Sequence, residues 1–314
     1  AQDSLSGNAS PIGVIGSRFA AAHADPFAAR PAEWIRVSRA RTDRTMSMLT
    51  FESYYESLGD NRYAATRATE SPWDHRLQHG SPPTALLVHA IERAHPRADV
   101  RVARVNAEFL GPIPRDVLRV DTKLVRPGKR VEMLEATLED ERGRAVATVR
   151  VWRIAIQPDP ELEARAALGS VPALPAGAEP ELFGIPRGTW GYADATEWRY
   201  RSGHPNDVGP AAVWARARAP LIAGVPLTGL DRILLLADSA NGISNELSFD
   251  DWLFIPPSLS IAIQRYADGD WIGLDAKTTL GPDGQGITTF TLEDRHGYLG
   301  AGTQSLLVER RRKQ

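Results

Sequence analysis

Apolar positions along this chain follow two periods, and the change from one to the other marks out the elements. In TALLVHAIERAH, residues 84 to 95, Leu86, Leu87, Ala90, Ile91 and Ala94 recur at steps of three and four, the stripe of an amphipathic helix. Pro82 and Pro83 suit the first turn of that helix, where a missing N–H removes no helical bond. Four later runs alternate with a period of two: VRVARVNAEFLG, DVLRVDTKLVR, RVEMLEATLED and, after Gly143, RAVATVRVWRIAI. They predict long antiparallel strands, with Pro127-Gly128 as a turn between two of them. Upstream, residues 50 to 68 carry Phe51, Tyr54, Tyr55 and Tyr63 in two short strand-like pieces joined at Gly59-Asp60-Asn61. A second helical stripe runs through LDRILLLADSANGISNE, residues 230 to 246, where Leu230, Ile233, Leu234, Ala237, Ala240 and Asn241 share one face. A helix followed by several long strands predicts α+β organisation, the helix wrapped by a curved antiparallel sheet.

The pattern then repeats. Asp116, Asp121, Lys123, the TLED of 137 to 140 and Gly143 recur without a gap as Asp270, Asp275, Lys277, the TLED of 291 to 294 and Gly297. Each block follows a helix rich in Leu and Ala and precedes one last strand, so the chain reads as two copies of one unit. The expected organisation is a largely irregular N-terminal extension over 1–48, a first unit over 49–157 and a Pro-, Ala- and Gly-rich linker over 158–195. A second unit over 196–310 and a basic tail over 311–314 complete it. In the ungapped register Gln304 stands opposite Arg150, and Asp238 opposite Thr84. Copy two therefore carries an acid and an amide where copy one carries neither.

Composition narrows the chemistry. At 314 residues and 42% hydrophobic content, the chain can bury sizeable cores. A formal net charge of -2 gives no electrostatic reason for a nucleic-acid or membrane partner. The absence of cysteine excludes disulfides, thiolate nucleophiles and Cys-bound zinc. No apolar run is long enough to span a bilayer and no secretory signal pattern opens the sequence, so a cytoplasmic protein is expected.

Asp238 is the first candidate for chemistry. An ionised carboxylate on an apolar helix face costs several kcal/mol to desolvate unless donors surround it, and a pKa raised by such surroundings suits a general base. The alternative is structural, a carboxylate that caps a loop or faces solvent at a helix end. His75 and His79 stand four apart, but Pro72 and Gly80 argue for a loop and no third ligand is evident, so no metal is expected. No GxSxG motif is present, and GPDGQG at 281 to 286 reads as a hairpin turn. Arg126, Lys129 and Arg130 read as a solvated hairpin tip, Arg310 to Lys313 as a mobile tail, and Trp152, Trp198 and Trp214 as packing residues.

Five stretches, in this order, resemble the acyl-CoA thioesterase II family: HGSPPTALL at 79 to 87, FLGPIPRDVLRV at 109 to 120, LLLADSANGIS at 234 to 244, DWLFIPPSLSIAIQR at 251 to 265, and GTQSLLV at 302 to 308. The resemblance covers roughly Thr50 to Val308 and implies the fold class α+β, double hotdog: two tandem hotdog units, each a central helix wrapped by an antiparallel sheet. It also implies an acyl-CoA thioester as substrate, hydrolysed to a free acid and CoA-SH within fatty acid metabolism. Coenzyme A enters only as part of the substrate, with no separate cofactor, and sheet edges associate into a homo-oligomer. In that family an Asp on the second helix, a Ser or Thr opening the next strand and a Gln on the last strand hold the attacking water. Asp238 and Gln304 match two of these; Pro256 stands at the hydroxyl position, which leaves Ser258 and Ser260 nearby as the third. His79, Gly80 and Ser81 become the candidate substrate-binding residues, with N–H groups near Gly80 and Ser81 as oxyanion donors. Gly80 serves equally well as a tight turn. Two other readings stay open. Asp74 and His79 have the offset of the acid and imidazole of hotdog enoyl-CoA hydratases, without their Asn-Pro, and Pro256 fits a non-catalytic acyl-CoA binding protein.

Overall fold

Turn chemistry fixes the first edge of the sheet. Asp60 and Asn61 take positive φ angles of 47° and 56° after Gly59 at 80°, a left-handed stretch that short polar side chains tolerate. It reverses the chain between β1 (Tyr55–Gly59) and β2 (Arg62–Ala65). The computed structural model describes residues 51–166, 174, 181–182, 185–186 and 188–311. The extension expected over 1–48 and the tail beyond residue 311 lie outside the described residues.

Next comes α1 (Ser81–Ala94), with Pro82 and Pro83 in its first turn. Leu86, Leu87 and Ile91 are fully buried along its apolar stripe, each contributing about 1.5–3 kcal/mol by leaving water. The four alternating runs form β3 (Val100–Phe109), β4 (Val117–Arg126), β5 (Val131–Glu139) and β6 (Ala145–Ala155). Then follow α2 (Pro160–Arg165), β7 (Glu181–Leu182), β8 (Ile185–Pro186) and α3 (Gly191–Asp194). The second series is β9 (Thr196–Ser202), β10 (Ala211–Ala217), α4 (Gly229–Ala237), α5 (Ala240–Ile243), β11 (Trp252–Ile263), β12 (Ile272–Leu280), β13 (Gln285–Asp294) and β14 (Gly297–Arg310).

Among the described residues, the strands other than the β7–β8 pair make one antiparallel sheet of 12 in the order β1-β2-β4-β5-β6-β3-β11-β14-β13-β12-β10-β9. Each half of that order holds a strand pair, a helical segment and four long strands in the same arrangement. The halves join where Ser258 to Ala262 of β11 pair with Arg104 to Glu108 of β3. On the core side α1 packs against β4, β5 and β6, α4 packs against β10 and β12, and the two helices pack on each other. No helix among the described residues is long and apolar enough to cross a membrane.

Three expectations are corrected. The stripe over 230 to 246 is not one helix: α4 ends at Ala237, Asp238 caps it, and α5 starts at Ala240. Gln304 enters the break, its Oε1 accepting from the Asn241 N–H at 3.0 Å and its Nε2 donating to the Asp238 carbonyl at 3.1 Å. Second, Gln304 pairs with Thr288, whereas Leu134, the counterpart of Thr288, pairs with Val151. The turn before β14 is one residue shorter than its counterpart, so Gln304 stands opposite Val151. Arg150 faces outward onto Glu135. Third, the end of the expected linker is part of the core: Trp190, Tyr192 and Ala193 are buried. Gly191 allows this, because a Cβ there would meet the Arg67 carbonyl oxygen at 1.9 Å.

Candidate active site

Asp238 sits where the end of α4, the start of α1 and β14 meet. It is only 4% exposed, and burial pushes its carboxyl up to about 7 against hydrogen bonds from the Gln304 side chain and the Gly80 backbone. Gln304 Nε2 donates to Asp238 Oδ1 at 2.8 Å. The Asn241 N–H can only donate, so Gln304 Oε1 must be its acceptor, and this fixes which end of the amide meets the carboxylate. Alternation along β14 turns Gln304 inward with Leu306 and Val308.

His79 is held by the loop ahead of α1. Its N–H donates to the Thr69 carbonyl at 2.8 Å, and the neighbouring Gln78 is fixed by the Tyr55 hydroxyl at 2.6 Å and the Pro114 carbonyl at 2.7 Å. The imidazole stacks on Tyr192, centroids 4.0 Å apart and planes within 6°. Its Nδ1 accepts from the Ser81 N–H at 3.2 Å and lies 3.7 Å from Asp238 Oδ2. A nitrogen that accepts a backbone N–H carries no proton, and burial draws this imidazole down to about 3. His79 is therefore neutral with its proton on Nε2, and its approach to Asp238 is not an ion pair.

Gly80 is required by close approach. A Cβ there would lie 2.5 Å from Asp238 Oδ2 and 2.7 Å from Phe109 Cζ. Ser81 Oγ accepts from the Asp238 N–H at 3.2 Å. These contacts change the expected roles: the Gly80 backbone serves Asp238, the Ser81 N–H serves His79, and Pro82 and Pro83 have none to offer. The first turn of α1 thus supports the acid and the imidazole.

Asp238 and His79 lie on the wall of a cavity of roughly 1070 Å³, open solvent at its mouth included. Aromatic side chains recur along its other walls. Trp73 stacks on Phe249 at 5.2 Å and meets Phe254 edge-on at 5.4 Å, while Tyr192 contacts Trp190 at 6.0 Å and Trp198 at 6.4 Å. Tyr192 itself is anchored by the Leu235 carbonyl at 2.7 Å and Ser239 Oγ at 2.8 Å. No Lys or Arg among the described residues lines this cavity.

Ser258 and Ser260 lie elsewhere. Leu259, the cross-strand partner of Gln304, faces the core, so both serines point to the opposite face, where Ser260 Oγ donates to Asn106 Oδ1 at 2.7 Å. The ladder shifts register between Ile255 and Ser258, and Pro256 in that irregular stretch lines the cavity. Asp74 is also withdrawn from the site: Arg76 hydrogen-bonds both its oxygens and holds its carboxyl below the ordinary range. Sequence reasoning missed Trp73, Trp190, Tyr192, Ser239, Asn241, Phe249 and Phe254 as site residues. An aromatic pair flanking Gly191, in a stretch otherwise rich in Pro and Ala, was the available signal.

Two domain descriptions match the sequence in tandem: an acyl-CoA thioesterase N-terminal domain over residues 69–154, and an acyl-CoA thioesterase C-terminal domain over residues 169–308. The chain belongs to the acyl-CoA thioesterase family. That family is one of thioester hydrolases. His79 and Gly80 fall in the first match of this thioesterase, Asp238 and Gln304 in the second. No curated protein matches the sequence. Among solved structures, a protein described as a thioesterase from Novosphingobium aromaticivorans is 21% identical with a TM-score of 0.63, over 81% of this chain and 98% of that one. A hotdog-fold protein from Alicyclobacillus acidocaldarius is 14% identical with a TM-score of 0.62, over 82% and 96%. The acyl-CoA thioesterase II TesB2 from Mycobacterium marinum is 14% identical with a TM-score of 0.58, over 83% and 96%. At such identities the likeness speaks for the fold, which is the hotdog fold.

Proposed function

We propose that the protein is a double hotdog acyl-CoA thioesterase that cleaves its substrate to a free acid and CoA-SH, using a water activated by Asp238. What carries the reading is a buried carboxylate of raised pKa, aimed by Gln304, on the wall of an apolar cavity. Gln304 occupies Oδ1, which leaves Oδ2 to take a proton from water. As that proton moves, the water oxygen attacks the thioester carbonyl carbon, and the carbonyl oxygen becomes an oxyanion. The Nε2–H of neutral His79 is the donor assigned to it, in a site where low polarity strengthens such a bond. The C–S bond then breaks, the departing thiolate takes the proton back from Asp238, and the acid and the thiol leave.

The test is release of free thiol from a panel of acyl-CoAs by the wild type and by Asp238→Asn. Release that depends on Asp238 supports hydrolysis. The second reading, an acyl-CoA binding protein without turnover, is favoured by Pro256 and by the outward serines, which leave β11 without a hydroxyl at the water. No release by the wild type at any chain length would select it.

A further inference from the structure

Arg310 and Arg311, the last of the described residues, are held against the fold. Arg310 lays its guanidinium over the ring of Trp252 at 4.5 Å, and Arg311 lays its own over Trp73 at 5.1 Å. Trp73 is a wall of the cavity that holds Asp238. The segment is tied down, since the Arg311 N–H donates to the Asp251 carbonyl at 2.9 Å and its Nε to the Trp252 carbonyl at 3.4 Å. Among the described residues no carboxylate forms an ion pair with either guanidinium. Burial draws the Arg311 pKa down, the charge of Asp250 acting against it, yet a guanidinium stays protonated across the working range.

Two other arginines withdrawn from water, buried Arg153 and partly buried Arg265, are paired. Arg153 meets Glu132 at 2.5 Å and Glu92 at 3.1 Å, and Arg265 meets Asp294 at 2.5 Å. Taking a cation partly out of water without a counter-ion costs free energy that an incoming anion returns. Arg311, which among the described residues has the charge of Asp250 near it but no ion-pair partner, is such a cation beside the cavity, and both arginines lie beyond residue 308, where the family match ends.

We propose that Arg311, with Arg310 beside it, binds the phosphates of the coenzyme A carrier, so that the pantetheine arm runs past Trp73 and brings the thioester to Asp238. This rests on the thioesterase reading and gives the substrate a direction in the cavity. A guanidinium offers paired N–H donors that match phosphate oxygens, and stacking on an indole fixes its plane before the substrate arrives.

The experiment measures kcat/KM for one acyl group carried on coenzyme A and on N-acetylcysteamine, which has no phosphate. The proteins are the wild type, Arg311→Ala and Arg311→Gln; the last keeps a planar group over Trp73. The expected result is a ratio of the two values, coenzyme A over N-acetylcysteamine, that falls about tenfold or more in both variants, through KM, as loss of a charge-assisted hydrogen bond requires. The wild-type ratio itself declines with salt. An unchanged ratio overturns the proposal, whether both substrates lose equally, as for a purely packing role of the stack, or neither does. If the wild type hydrolyses neither substrate, the thioesterase reading has failed, and calorimetry with free coenzyme A still reads the arginine site. There a Kd about tenfold weaker in Arg311→Gln supports the phosphate site, and an unchanged Kd overturns it.

Discussion

Asp238 ties chemistry and stability to one titration. With a folded-state pKa near 7 against an ordinary 3.8, the carboxyl is ionised, and active as a base, only towards neutral pH. The kcat/KM profile is expected to rise with pH and level off above about 7, and Asp238→Asn to lose roughly a hundredfold or more in turnover. A flat profile between pH 5 and 9 would remove Asp238 as the base. The sign for stability runs the other way. A carboxyl whose folded pKa is raised contributes fully below its unfolded pKa and loses that contribution as pH rises through the folded value. Denaturant unfolding should therefore show Asp238→Asn more stable than wild type at pH 8, on the order of a few kcal/mol, with no gain near pH 4. Gly80→Ala tests the same spot sterically. Its Cβ would press on Asp238 Oδ2 and Phe109, so a destabilisation of about 1–3 kcal/mol with strongly reduced thiol release is expected.

At the level of elements, the broken helix between α4 and α5 is what the carboxylate depends on. Spacing alone continues through Ala237, Ala240 and Asn241 as if the helix were whole, because apolar periodicity does not record where a side chain from β14 arrives. Gln304 supplies an acceptor for Asn241 and donors for Asp238, so its removal leaves buried polar groups unpaired. Gln304→Ala is expected to lower both turnover and stability, the latter by about 1–3 kcal/mol in a thermal or denaturant melt. Full stability with normal turnover would mean the joint holds itself. The strands β3 to β6 were legible because one face of each is buried and the other is not, which writes a period of two into the sequence; β9 and β10, buried more continuously, carry no such alternation. Residues 190 to 195 were not, since a few buried aromatics in a Pro-rich stretch carry no period at all.

For the whole molecule, what matters is that the site takes His79 and Gly80 from one half and Asp238 and Gln304 from the other. The halves are held in register by the β3–β11 ladder, where Ile261 pairs with Val105 and both are fully buried. Ile261→Ala is expected to cost about 2–5 kcal/mol and to melt activity and tryptophan fluorescence in one shared transition. Two separated transitions would show halves that fold independently and meet only afterwards.

The sequence by itself determined the strands of the first half, the first helix, the internal repeat and the two residues, Asp238 and Gln304, that now lie within hydrogen-bonding distance. These follow from local period, turn chemistry and self-similarity, all of which are properties of neighbours along the chain. Tertiary structure decided the rest: that α4 stops at Asp238, that Ser258 and Ser260 face away, that Gln304 answers to Val151, and that Trp190 and Tyr192 wall the cavity. Each of those depends on the face a strand presents after a bulge or a shortened turn, or on a backbone approach that only a glycine permits. Such a shift of one residue inverts every side chain beyond it, and only the packed sheet shows which way they point.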